Sequence, residues 1–445
     1  VSLSASSSIT KTFLEAGFRI LGTESRGRVL PRVPLASVVA GPLRPAIVLG
    51  RPNPNMLAQL RALGRSGIPV YCIVVRGEPA FIAKVSKYAT GVFDLRRGGD
   101  RDVVRAIREI AQASGSRPIL FYGGDLDITL TARIWSSIAD CVTPVSDPHR
   151  AEVLNAKTEQ CARVEAAGIR VPRGGGIRNL QDLEHLCTTL TFPVICRPVE
   201  IASRGGFADK IIIAQTPEEM RSRLHGLASE GKSWVLAQEF IPGPDDSLLF
   251  ALGTCNAAGK VTSIVTGRKL CQYPAGLMCR GEAFENAELR GLATAAFEAL
   301  GVEGVLGVEF KRHALSGELY YIEVNFRPEN IIAVTEASGV NVLLIGYLQA
   351  AGLGTLVVPM RMRPALWRDL SMELLGWLSR RFAWSKGLRT NVRRRHVGAL
   401  WASDDPWPAL AWHMSKVTRL ALKMTAVLKS AVGGESGIRS GRAVR

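Results

Sequence analysis

The chain has 445 residues, 47% apolar and 21% charged, with 56 Lys and Arg against 39 Asp and Glu for a net charge of +17. At roughly 100–200 residues per domain this length makes two to four domains, and the composition excludes a mainly disordered, collagen-like or coiled-coil chain. The positive balance favours anionic partners.

Residues 1–44 are Ser-rich and then Arg/Pro-rich, and read as a partly disordered leader. The opening VSLSASSSIT lacks the basic start and apolar run of a signal peptide. From Ala46 the pattern changes. AIVLG (46–50) predicts a short buried strand, followed by PNPN and a helical run from Met56 to Ser66. PVYCIVV (69–75) and PILFYGG (118–124) predict further strands, with a helix from Asp100 to about Ser114 between them and another beginning at Asp125. Strands alternating with helices predict a parallel sheet, so 45–148 reads as a small doubly wound α/β domain.

The next block predicts one helix from Glu152 to Ala167, ending at Gly168. Thr216-x-x-Glu219 is a capping box for a helix to about Glu230. Strand-like runs surround it at 192–198, 210–214, 234–240, 247–254 and 260–267. A helix over about 285–300 and strands over 305–311 and 318–325 complete an α+β unit. The uncharged stretch Ala337–Met360 holds four glycines, Asn341, Gln349 and Pro359. It predicts a buried helix followed by a strand rather than a membrane span.

Residues 361–445 hold 17 Lys/Arg, 5 Asp/Glu and six of the eight tryptophans. Around Trp367, Trp377, Trp384 and Arg393–Arg395, aromatics mix with cations, and Trp412, Lys416, Arg419, Leu420 and Lys423 fall at near-helical spacing. This predicts a small helical extension with buried Trp and a solvated basic face. The same residues also suit an anionic lipid surface or a polyanionic, nucleotide-linked precursor. No helix-turn-helix, zinc-finger or RNP-type motif accompanies the charge, so no specific nucleic acid is expected. The run SDDPWP (403–408) reads as a turn.

Eight cysteines without a C-x-x-C pair read as reduced core residues of a cytoplasmic protein, and six histidines without ligand spacing argue against a zinc enzyme.

The chemistry-bearing residues concentrate in VLGVEFKRHALSGELYYIEVNFRPE (305–329). Two strands are joined by a turn at Ser316-Gly317, with Glu309 on the first and Glu323 and Asn325 two apart on the second. Two-residue spacing puts Glu323 and Asn325 on one face, and Glu309 can face them. Two carboxylates and an amide oxygen make a hard oxygen set suited to Mg²⁺ on phosphates, although charged strand faces also pair simply with surface cations. Arg327 continues the same face and can hold a phosphate or an oxyanion.

The pattern E-F-(x)n-Y-x-I-E-V-N-x-R resembles the metal-binding strand pair of the ATP-grasp superfamily. Upstream, NAKTEQCARVEAAGIRVP resembles its helix that opens with a nucleotide-binding lysine, here Lys157. FPVICRPVEIASRGGFADK resembles its cation-bearing strand and glycine-containing phosphate lid, here with Arg197, Ser203-Arg204-Gly205-Gly206 and Lys210. VLAQEFIPG resembles the adenine hinge, and TGRKLCQYPAGL the basic strand that reaches the phosphates. The resemblance covers about 45–350 and looks closest to carboxylate–amine ligases similar to D-aspartate ligase.

The resemblance implies an ATP-grasp fold over 149–352, with a lid subdomain over about 186–242, preceded by the small domain and followed by the basic extension 353–445. It implies ATP-dependent amide formation through an acyl phosphate from a small-molecule acid and amine. Glu309, Glu323 and Asn325 would hold Mg²⁺, with Mn²⁺ as an alternative. Lys157, Arg197 and Lys210 would bind phosphates, Glu239 and Ile241 the adenine, and Asp246 the ribose. Arg327, with Arg268 or Lys269, would act on the oxyanion. One departure stands out: Arg197 replaces the family's usual lysine, and a planar fork is not a point charge. A nucleotide-binding protein without ligase turnover, or a membrane-surface scaffold at the inner face, are the alternative readings. The acid, the amine and the oligomeric state stay open.

Overall fold

A computed structural model describes residues 42–77, 79–199, 211–230, 235–273, 276–354, 362–379 and 395–415. The first unit is built on β1 (Ala46–Gly50), β2 (Val70–Val74), β3 (Ala89–Asp94), β4 (Ile119–Tyr122) and β5 (Thr143–Pro144). They form one parallel sheet in the order β3-β2-β1-β4-β5. Every residue of β1 and β4 is buried, as expected of strands covered on both faces. Helices α1 (Pro54–Gly64), α2 (Phe81–Lys84), α3 (Asp100–Ser114) and α4 (Asp125–Ile134) connect the strands. Asn53 caps α1 by accepting from the Met56 N–H, and Pro54 takes the first turn, where its missing donor costs nothing. Asp100 is the first residue of α3, and Gly99 holds the cap position.

The single helix expected over Glu152–Ala167 is two, α5 (Pro148–Leu154) and α6 (Lys157–Ala166). Ala156 is extended and breaks the run. The break makes Lys157 the first residue of a new helix. Then come β6 (Gly174–Ile177), α7 (Leu180–Thr189), β7 (Val194–Pro198), β8 (Ile212–Ala214), α8 (Pro217–Glu230) and β9 (Val235–Glu239). The strands make an antiparallel sheet in the order β6-β9-β7-β8, with its own core under α7 and α8.

The third sheet contains β10 (Leu248–Cys255), β11 (Val261–Gln272), β12 (Met278–Ala283), β13 (Gly304–Arg312) and β14 (Leu319–Asn325). Helices α9 (Ala287–Leu300), α10 (Ala333–Ser338) and α11 (Val342–Ala350) accompany it. The stretch read as a buried helix then strand supplies the end of α10 and all of α11, and its end at 355–360 lies outside the described residues. No helix among the described residues is long and apolar enough to cross a membrane. The basic extension, expected to be helical, contributes two strands before and after its helix α12 (Leu370–Leu378): β15 (Ala365–Arg368) and β16 (Arg395–Gly398). They lengthen the sheet to seven, in the order β14-β13-β10-β11-β12-β15-β16.

The run expected to turn at 403–408 clamps the extension to the small domain. Arg61 of α1 pairs with Asp405 at 3.0 Å, and Arg65 with Asp404 at 2.8 Å. Ser86 and the Lys87 N–H also donate to Asp405, and Tyr88 donates to Asp404.

Candidate active site

The hairpin β13–β14 turns through Gly317, whose φ of +73° is left-handed and suits glycine. Its register sets Glu309 opposite Glu323 and Gly307 opposite Asn325, so all four share one face. Gly307 is bare for a reason: a Cβ there would stand 2.2 Å from the Glu329 carboxylate, which lies over this face. Asn325 Nδ2 donates to Glu329 at 3.0 Å, and its amide oxygen accepts from Arg327 at 3.2 Å.

Edge strand β14 is held by α6. Gln160 donates to the Leu154 and Val324 carbonyls and accepts from the Val324 N–H and the Tyr321 hydroxyl. One turn earlier on the same helix, Lys157 Nζ reaches Glu323 Oε2 at 2.5 Å. From the four-stranded sheet, Arg197 on β7 approaches the same oxygen at 3.9 Å. Its Nη2 donates to Gln238 of β9 at 2.7 Å, while its buried Nε has no partner. Burial alone would raise the Glu323 pKa, but Lys157 and Arg197 outweigh it and hold the carboxyl at about 2.

The second cation is Lys269 on β11. It is 6% exposed and lies 2.7 Å from Glu309, whose pairing partners across the sheet put both on one face. Burial pushes the ammonium down, and Glu309 more than restores it, so its pKa ends above the ordinary value. Arg268, expected as an alternative to Lys269, points to the other face. It donates to Glu282 at 2.7 Å and stacks on the Phe284 ring. Alternation along a strand separates the two neighbours.

The small domain closes the face. Arg327 donates to both oxygens of Asp125, at 2.8 and 3.1 Å. Burial would lower its pKa, but Asp125 raises it above the ordinary value. Asn55 of α1 donates to the Pro328 carbonyl at 2.8 Å and to the Gly123 carbonyl at 3.0 Å, tying both loops together. Asp125 and Gly123 follow β4, beside the point where the strand order reverses between β1 and β4, the usual crevice of an open parallel sheet.

The remaining expected residues lie at the margins or outside. Glu239 ends β9, its N–H donating to the Arg173 carbonyl and its carboxylate accepting from Thr191. Ile241, two residues on, is buried. Asp246 is exposed in the turn before β10, where its neighbour Asp245 accepts from Gln272. Lys210 and the Ser203–Gly206 loop lie outside the described residues.

Four participants escaped the sequence reading: Glu329, Asp125, Gln160 and Gln238. Glu329 stood within the hairpin motif, in the R-P-E ending, so its position was the available signal. Its carboxyl is pushed up to about 7 by burial and by the Glu309 charge beside it. Gln160 and Gln238 likewise stood inside the segments around Lys157 and Glu239, whereas Asp125 lies far from all of them in sequence and carries no local pattern.

Among the described residues no group of three or more His, Cys, Asp and Glu side chains is gathered as a metal site. The oxygens here are two carboxylates and one amide, a set that suits a hard divalent cation.

No protein-family profile matches the chain. It is 24% identical over 315 residues to the N-terminal section of the carbamoyl phosphate synthase large chain of Methanopyrus kandleri, covering 66% of this chain and 52% of that one. The chain thus spans about half the length of that relative. It is 25% identical over 288 residues to a D-alanine–D-alanine ligase of Xanthomonas axonopodis pv. citri, covering 62% of this chain and 78% of that one. Among solved structures, the biotin carboxylase domain of Hydrogenobacter thermophilus 2-oxoglutarate carboxylase, in complex with MgADP, ADP and bicarbonate, superposes with a TM-score of 0.58 at 16% identity. That match covers 72% of this chain and 73% of that one. The fold is the ATP-grasp fold with a preceding parallel-sheet domain.

Proposed function

We propose that the chain is an ATP-dependent carboxylate–amine ligase. A substrate carboxylate oxygen attacks the γ-phosphorus, the bridging P–O bond breaks, and ADP leaves. The amine nitrogen then attacks the acyl carbon of the resulting acyl phosphate, the C–O bond breaks, phosphate departs and the nitrogen loses a proton. Such chemistry asks a protein mainly for positioning and charge, in keeping with a site made of cations and carboxylates on a rigid sheet.

The observation that carries the reading is the meeting of Lys157 and Arg197, from two separate elements, at Glu323, directly opposite the Glu309–Lys269 pair. Lys157, Arg197 and Lys210 would hold the phosphates. The unpartnered Nε of Arg197 leaves a donor for one. Glu239 and Ile241 would meet the adenine and Asp246 the ribose. Glu309, Glu323 and Asn325 would hold Mg²⁺ or Mn²⁺, which supplies charge neutralisation for the phosphates when bound. Arg327, oriented by Asp125, would stabilise the oxyanion, with Lys269 as the second cation on that face. This reading places the reaction in the cytoplasm, where ATP and Mg²⁺ are supplied.

A coupled ADP-release screen over pairs of amino acids and dicarboxylic acids tests this. The expected result is ADP and phosphate release that requires the cation, one acid and one amine together. Arg197, where the family usually has lysine, favours the second reading, nucleotide binding without turnover. ATP binding with no release across the screen, unrescued by Arg197→Lys, would establish it.

A further inference from the structure

Two helices of the C-terminal extension expose large apolar side chains, and the first is inside out. On α12 the one acidic residue, Glu373, is buried and takes the guanidinium groups of Arg280 and Arg368 at 2.5–3.1 Å. The outward side carries Leu370, Leu374, Leu375, Trp377 and Leu378, between 41% and 61% exposed. The helical run over 407–415 buries Pro408 and Ala409 and also presents apolar residues outward. Asp405 just before it is buried on Arg61, whereas Trp407, Leu410 and Met414, spaced three and four apart, are exposed. A water-facing helix has the opposite distribution. Nine of the 16 exposed large apolar side chains among the described residues lie between Leu370 and Met414, too concentrated to be scattered surface residues.

Both helices follow adjacent parallel strands, β15 and β16, so the chain leaves the same end of the sheet each time. The Ala399 N–H donates to the Arg368 carbonyl at that shared end.

Charge selects the occupant. Every acid of the extension among the described residues is engaged. Asp369 caps α12, Glu373 holds two arginines, and Asp404 and Asp405 hold Arg65 and Arg61. Cations remain outward, Arg363 and Arg395 both being exposed. The whole stretch 361–445 has 17 Lys/Arg against 5 Asp/Glu. In sequence the spacing of Trp407, Leu410 and Met414 continues through Val417, Ala421, Met424 and Leu428, while Lys416, Arg419 and Lys423 fall on the opposite side of that period. The net positive charge of this stretch disfavours a second copy of the same stretch as its partner. A bilayer with anionic headgroups offers phosphate to the cations and acyl chains to the Leu and Trp side chains.

We infer that the outward faces of α12 and the 407–415 helix dock the protein on the surface of an anionic lipid bilayer. This stands apart from the ligase reading, since none of these residues belongs to the cation and carboxylate cluster.

Full-length protein is sedimented with vesicles of phosphatidylcholine alone and of phosphatidylcholine with phosphatidylglycerol. The expected result is partition to the anionic vesicles only, weakened by salt. The double variant Leu374→Ser/Leu378→Ser should reduce the partition coefficient about tenfold or more. Trp407→Ser/Met414→Ser is the second arm should the first fail to fold, and circular dichroism reports folding of both. No partition to anionic vesicles, or equal partition to neutral ones, overturns the inference. So does concentration-dependent self-association abolished by the same variants, which would make a second copy the occupant. Binding of a soluble nucleotide-linked sugar without vesicle partition would overturn it in favour of a polyanionic substrate.

Discussion

Arg327, at the end of the site hairpin, is held by a two-point ion pair to Asp125, the first residue of α4 in the small domain. The two are 202 positions apart in sequence. The pair joins the sheet bearing the carboxylates to the crevice of the parallel sheet, so the orientation of one guanidinium depends on the docking of two units.

Asp125→Asn should therefore lower kcat/KM for ADP release by about 10–100-fold, the cost of a charge-assisted bond that orients a group at the reacting centre. Arg327→Lys should lose a similar amount, because an ammonium cannot reproduce the fork. Steady-state ADP release checks both. Wild-type kcat/KM in Asp125→Asn would show that Arg327 needs no orienting partner.

Glu323→Gln removes the charge on which Lys157 and Arg197 converge. ADP release should fall at least about a hundredfold, while circular dichroism shows the fold intact. Retention of cation-dependent turnover would remove Glu323 from the proposed cation set.

Arg197→Ala should reduce kcat/KM about a hundredfold through loss of a phosphate-binding charge. Arg197→Lys keeps the charge and gives up the hydrogen bond to Gln238. It should stay within about tenfold of wild type, with the loss mainly in KM for ATP. Equal damage from both variants would mean that the fork, and not the charge, is what the site uses.

Asp405→Ala should destabilise the protein by about 3–5 kcal/mol, because it leaves Arg61 buried without its counter-charge. Ser86 and the Lys87 N–H lose their acceptor as well. Chemical denaturation reads the change. A shift below about 1 kcal/mol would show that the clamp contributes little.

Acid should weaken the same region. The hydrogen bond from Arg65 holds Asp404 well below the carboxylate range, aided by Tyr88 and opposed by burial. Burial raises the Glu373 pKa, but Arg368 and Arg280 outweigh it and the net shift is downward. Both folded values lie below the unfolded ones, so both carboxylates stabilise the fold above about pH 4. That stability is lost as the pH falls through the depressed folded values. The melting temperature of wild type should drop more steeply below about pH 4 than that of Asp404→Asn. Parallel acid profiles would show that Asp404 is not one of the groups responsible.

The local pattern of the chain determined the buried strand AIVLG, the Ser316-Gly317 turn and the two-residue spacing of Glu323 and Asn325. It also showed the alternation that gives the first unit a parallel sheet, because these depend on periodicities of two and 3.6 residues and on turn chemistry. The hairpin could be read for the same reason: Glu309 and Glu323 are brought face to face by one short turn. Tertiary structure alone decided which of Arg268 and Lys269 faces the site, since alternation says only that they part and not which way. It decided that Gln160 staples α6 to β14 and that Asp125 orients Arg327. It turned an apparent turn at Asp404-Asp405 into a buried clamp. Each of these rests on contacts between distant segments, and such contacts form only when burying apolar surface brings the sheets together.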